Sequence, residues 1–247
     1  MSDQDRAGQP ARAAAPKSRT TGPAVRRACP ADADTAVAIL AQAFQDDAVT
    51  AWVFPDARRR RALLPDFFRV VVEDLLAHGE IHLADDSGVV LVVPPDAPDP
   101  TPGELRRHES RLRAATAECG DRAVAIARLL DEHHPRDRAH SYVVFNAVRP
   151  ARQGRGVSSA ILRQVTALAD AVDAGCYVEC SSPESLELMV RHGFAPLPVV
   201  PLPGGPVLRP AWREPLPTGR PTAAQTAKEA AAQTAAEAAG QPAEAVG

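Results

Sequence analysis

From Arg149 to Leu162 the chain reads RPARQGRGVSSAIL, with two glycines set directly ahead of an apolar pattern of helical period. Those residue types at that spacing have a chemistry of their own. Glycine admits left-handed backbone and leaves the peptide open to a ligand. The first turn of a helix carries N–H groups with no intrahelical acceptor. Gly154 and Gly156 therefore mark a candidate cradle for phosphate oxygens at a helix start.

What the segment lacks narrows the ligand. A triphosphate-binding loop needs a lysine after its second glycine, and the only lysines of the chain, Lys17 and Lys228, lie near its two ends. A dinucleotide fingerprint sets G-x-G-x-x-G in the tight turn after a strand, with an acidic residue about 20 positions on. Gly154, Gly156 and Glu179 match parts of it, but Ser159 stands at the third glycine and five residues separate Val148 from Gly154. That reading predicts protection by NAD(P) and none by coenzyme A. The remaining pattern is Q-x-x-G-x-[GA], which starts at Gln153 and has Ser158 at its last position.

No metal site is expected. Cys176 and Cys180 in CYVEC have the wrong spacing for a zinc ribbon and no second pair, and the histidines of EHHPRDRAH fail on ligand count and spacing. Cys29 and Cys119 bring the total to four, too few for a disulfide framework in a chain this long.

The elements that must position the loop can be read from periodicity. VRRACPAD starts as a short strand, and Asp32 or Asp34 caps a helix with Val37, Leu40, Ala41 and Phe44 on one face. LLPDFFRVVVEDLLAHG is a second amphipathic helix stopping at Gly79, and EIHLADDSGVVLVVPP is a hairpin about DDSG. Residues 102–132 are helical with a break at Gly120 and Asp121. HSYVVFNAV is a strand, and the helix after the loop sets Ile161, Leu162, Val165, Leu168, Ala169 and Val172 on one face. CYVEC is a strand, SPESLELMVRHG a helix, and VLRPAWRE an edge strand. The order predicts an α/β fold, a mixed sheet with a central βαβ unit.

Residues 1–24 and 215–247 are rich in Ala, Pro, Gly, Gln and Thr and are expected to be disordered tails, the second with the imperfect repeat AAQTAKEA, AAQTAAEA. One domain, 25–214, remains for the core. A net charge of −3 argues against a nucleic-acid partner, and the basic run Arg58 to Arg61 reads as a solvated helix start. Nothing approaches a membrane span or a secretory signal, so the expected location is cytoplasmic.

The segment QGRGVS with its helix, followed by YVECSSPESLELMVRHGF, resembles the acetyl-CoA site of the GCN5-related N-acetyltransferase (GNAT) family. The layout, from AFQDDAVTAWVFPDARRR onward, is most similar to the puromycin N-acetyltransferase-like branch, and most specific from Leu130 to Phe194. The resemblance implies a mostly antiparallel sheet with helices on both faces, acetyl-CoA as co-substrate and a primary amine, of a small molecule, as acceptor. Homodimers are common in the family. It implies that the amides of Gly154, Arg155, Gly156, Val157 and Ser158 hold the pyrophosphate, flanked by Gln153 and Arg152. The backbone of Asn146, Ala147 and Val148 would pair with the pantetheine arm near the thioester. Glu179 is the candidate base or amine-positioning carboxylate, equally readable as a structural glutamate, with His140 and His192 behind it. Asp46, Asp47 and Asp131 are further charges for attracting an amine, and the helical insert 102–132 a roof over it.

The pattern is broken at Met189, where many family members carry a tyrosine positioned to protonate the leaving thiolate. A thiol of ordinary pKa, about 8.5, leaves tolerably without an acid. The alternative to an active enzyme is a catalytically weak or inactive acyl-CoA-binding regulatory module, in which Met189→Tyr would raise activity.

Overall fold

The computed structural model describes residues 22–217, so the expected tails fall almost wholly outside the described residues. Eight strands form the sheet: β1 (Val25–Arg27), β2 (Glu80–Ala84), β3 (Gly88–Val93), β4 (His140–Val148), β5 (Gly175–Cys180), β6 (Ala195–Pro196), β7 (Val200–Pro201) and β8 (Val207–Arg213). Their order is β1-β2-β3-β4-β5-β8-β6, with β7 paired to β8 beside that path. Only β4 and β5 run parallel. VLRPAWRE is therefore not an edge strand, because β8 lies between β5 and β6.

Helices α1 (Ala33–Ala43), α2 (Ala48–Val53), α3 (Ala57–His78), α4 (Pro102–Thr116), α5 (Gly120–His133), α6 (Val157–Ala171) and α7 (Pro183–Arg191) cover both faces. Strand alternation sorts the core into two layers. Val89 and Leu91 of β3 face a cluster with Leu40 and Phe68, while Val90 and Val92 face one with Ile161 and Leu162 of α6. The mixed α/β sheet with a central βαβ unit, β4-α6-β5, is as the sequence predicts.

Local differences have local causes. Asp32 precedes α1, but its carboxylate turns back to accept from the Cys29 N–H at 2.8 Å and from Arg26, while Asp34 pairs with Arg69. The six-residue α2 was not legible in the sequence and is started by Asp47, which accepts from the amides of Val49 and Thr50. Capping by Asp56 starts α3 at Ala57, ahead of the expected helix, and of the four arginines in its first turns Arg60 is buried, donating to the carbonyls of Gln45 and Phe54. Leu168 and Val172 face solvent at the end of α6. The insert breaks at Ala117–Cys119, just before Gly120.

Candidate active site

The glycine loop leaves β4 through a short 3-10 turn at Pro150–Arg152 and enters α6 directly. Gly154 and Gly156 have φ of 72° and 78°, the left-handed region in which a side chain is strained. An added Cβ at either meets nothing within 4 Å, so the glycines are required by backbone conformation and the space in front of them is open. Gly156 is the N-cap of α6 and supplies no side-chain oxygen, whereas α2, α3, α4 and α7 start with a capping side chain. The first amides of α6 thus keep their capacity for an outside acceptor. Gly88 lets α6 lie close to the sheet, because a Cβ there would come within 2.7 Å of Val157.

The loop's neighbours are held by bonds that the sequence did not announce. Gln153 folds its Nε2 back onto the Val148 carbonyl at 3.3 Å. Arg149 ties the loop to the β2–β3 turn through the Asp86 carbonyl, and to α1 through Gln42. Arg152 and Arg155 are exposed beside the glycines, and Val157 is buried under α6.

Next to this loop the sheet opens. β4 and β5 are paired from His140 opposite Gly175 to Val143 opposite Val178, and no further. Beyond that point β4 keeps only its β3 partner, with Asn146 opposite Val90, Ala147 opposite Val89 and Val148 opposite Gly88. The β4 edge toward β5 is free of strand pairing over residues 144–148. Free backbone donors and acceptors along an extended edge are what an amide-bearing chain pairs with. An open amide cradle and an unpaired strand edge, side by side, fit a diphosphate joined to an extended diamide arm, which is the make-up of coenzyme A.

Glu179 lies on β5 immediately past the last β4–β5 pair. Burial pushes its pKa up to about 7, against the downward pull of the Tyr142 and Tyr177 phenols, and Oε1 is buried with no hydrogen-bond partner among the described residues. The same burial, with the Glu179 charge, raises both tyrosines above their ordinary value. A carboxylate near neutrality with an unused oxygen is suited to taking a proton at pH 7.

The remaining candidates separate. His140 sits at the start of β4 and shares a 3.1 Å contact with His134, whose pKa burial lowers to about 4. His192 is bonded to Ser159 at 3.0 Å. Asp131 is engaged with Arg136 and Asp46 is exposed. Asp47 spends one oxygen capping α2 and the other on the Ser181 hydroxyl, which ties the α1–α2 turn to the end of β5. Met189 is 3% exposed and belongs to the apolar cluster under α6. Sequence reasoning missed the two tyrosines, although Tyr177 and Glu179, two apart on one strand, necessarily share a face.

The family model described as "Acetyltransferase (GNAT) family" matches residues 83–194, from β2 through the loop to the end of α7. A Corynebacterium glutamicum protein described as "histone acetyltransferase HPA2 and related acetyltransferase" is 28% identical, with 80% of this chain and 99% of that one covered and a TM-score of 0.60. A mosquito arylalkylamine N-acetyltransferase like 5b shares the fold at 17% identity, with 77% and 99% covered and a TM-score of 0.51. An agmatine N-acetyltransferase does so at 15%, with 77% and 98% covered and a TM-score of 0.50. Residues 83–194 thus carry a GNAT N-acetyltransferase domain, and the co-substrate of that family is acetyl-CoA.

Proposed function

We propose that this protein transfers an acetyl group from acetyl-CoA to the primary amine of a small molecule, in the cytoplasm, with Glu179 as the base. The observation that carries the reading is the buried, unpartnered Oε1 of Glu179 beside the parting of β4 and β5. Acetyl-CoA supplies an acyl group activated as a thioester. The amides of Gly154 to Ser158 hold its phosphates, and the β4 edge at Asn146 to Val148 aligns its arm. Glu179 takes the proton that the acceptor nitrogen sheds as its bond to carbon forms, and the phenols of Tyr142 and Tyr177 steady the carboxylate. The carbon–sulfur bond breaks and coenzyme A leaves as a thiolate, which the ordinary thiol pKa of about 8.5 permits. Four free cysteines suit a reducing compartment.

The small-molecule acceptor is supported by how α2, the insert and the last hairpin meet. Arg122 of α5 donates to the Trp52 carbonyl at 2.8 Å and lies over the Trp52 ring, 5.5 Å from its centroid. Gly205, in the turn before β8, touches the same indole so closely that any Cβ would collide with it. Three elements closed on one tryptophan leave little of the open groove a peptide needs. The same fold serves the arylalkylamine and agmatine enzymes named above. The likeness to the puromycin branch rests on the sequence segments alone.

The test is release of coenzyme A from acetyl-CoA across a panel of aliphatic, aromatic and polycationic amines, beside lysine peptides. Turnover with a small amine that falls at least about a hundredfold in Glu179→Gln is expected. Turnover confined to peptides, or indifferent to Glu179, would overturn the assignment.

A further inference from the structure

Strand β4 carries a bulge. Its pairing with β3 steps from Val143 opposite Val92 to Phe145 opposite Leu91, leaving Val144 without a counterpart. Val144 and Phe145 consequently lean on the same cluster, that of α1 and α3, although neighbours on a regular strand face opposite ways. Every residue after the bulge is turned over relative to the strand before it. Val143 and Val148 both lie under α6, five apart rather than an even number. Asn146 is the polar residue that this reversal delivers to the α6 face.

There its carboxamide meets the loop. Asn146 Nδ2 donates to Ser158 Oγ at 2.8 Å, and Ser158 lies in the first turn of α6, among the amides ahead of which the glycines leave open space. Asn146 Oδ1 is buried and has no hydrogen-bond partner among the described residues. A buried carbonyl oxygen without a donor is uncommon and costly in a folded chain, and one fixed by its sister nitrogen cannot turn away to find water. It needs a donor. Phosphate at neutral pH offers oxygen acceptors, so the donor must come from another part of a ligand, and an extended chain paired along β4 brings amide N–H groups past this point.

We infer that the Asn146 carboxamide, aimed by Ser158, is a positioning group that accepts a hydrogen bond from an amide N–H of the coenzyme's pantetheine arm. The inference rests on the coenzyme A reading above. It assigns a use to Ser158, the residue that departs from Gly or Ala at the end of the loop pattern: its hydroxyl sets the carboxamide, and its amide remains for phosphate.

The experiment separates the arm from the phosphates. The full chain, wild type and Asn146→Ala, is titrated with coenzyme A and with 3′-phosphoadenosine 5′-diphosphate, which keeps the phosphates and lacks the arm. Loss of one such hydrogen bond is expected to weaken coenzyme A about fivefold to tenfold and to leave the nucleotide within about twofold. Ser158→Ala should weaken coenzyme A in the same selective way by a smaller factor. Equal loss for both ligands, or loss for neither, overturns the inference. Should Asn146→Ala not fold, the side-chain amide resonance of Asn146 in the wild type decides: it shifts with coenzyme A and stays with the nucleotide, or the inference is wrong. If the wild type binds neither ligand, the coenzyme reading itself falls and the inference with it.

Discussion

Val143 stands opposite Val178 in the last step that β4 and β5 share, and Glu179 is the next residue along. One residue earlier the carboxylate would sit in a closed ladder, and further on it would lie in the loop. At this position it is sheltered by Tyr142 and Tyr177 yet keeps an oxygen free.

Glu179 holds its proton more tightly folded than unfolded, its pKa rising from 4.5 to about 7 through burial. The stability this contributes is whole below about pH 4.5 and is lost as pH rises through 7, up to about 3 kcal/mol in all. Glu179→Gln should therefore melt above wild type at pH 8 and nearly with it at pH 4. Its residual kcat/KM should lack the ionisation near pH 7 that wild type shows. An unchanged profile for both quantities would show that the carboxylate is neither perturbed nor used.

Gly156 is required by conformation and not by crowding, so Gly156→Ala should cost about 1 kcal/mol from left-handed strain alone. Gly156→Glu adds a carboxylate in the open space before the α6 amides. Isothermal titration should find coenzyme A binding lost in the Glu variant and weakened only a few-fold in the Ala variant. Retained affinity in the Glu variant would place the phosphates elsewhere.

Met189 fills the core under α6, and a phenol there is larger and brings a hydroxyl into an apolar cluster. Met189→Tyr is expected to destabilise by about 1–3 kcal/mol and to leave kcat within about twofold. A tenfold gain in kcat at unchanged melting temperature would restore the reading of Met189 as a missing acid.

His134 is held neutral by burial first and by the adjacent His140 second, with its pKa down to about 4. A depressed histidine contributes stability that is present above pH 6.5 and is lost as pH falls toward 4. His134→Phe keeps a ring among Tyr142, Tyr177 and His140 and removes the proton site. Thermal melts of the two proteins should diverge below pH 6.5 in favour of the variant and converge above it.

The strands, long helices and glycine loop were legible because each is a local pattern: a β-branched and aromatic run in HSYVVFNAV, a helical face in α6, two glycines ahead of it. The place of β8 was not, since an interior strand that carries Arg209, Pro210 and Arg213 looks like an edge until the buried Arg213 is seen bonded to the half-buried Asp170 at 2.8 Å. Arg60 was misjudged for the same reason, its acceptors being carbonyls at Gln45 and Phe54 that no spacing rule connects to it. At the site, Glu179 could be named from its strand, but the side-chain role of Asn146 depends on a bulge, and a bulge leaves no periodic trace in sequence.

Asp170 sits at the far end of α6 from the glycine loop and accepts both from Arg213 and from the Leu216 backbone N–H at 2.7 Å. Fifteen residues of helix put that anchor about 20 Å from the amides at the start of α6. A chain shortened to Glu214 would lose the Leu216 tether, whereas a fluorophore at Leu216 would ride on the helix without touching its business end, a convenient reporter of how firmly α6 is seated.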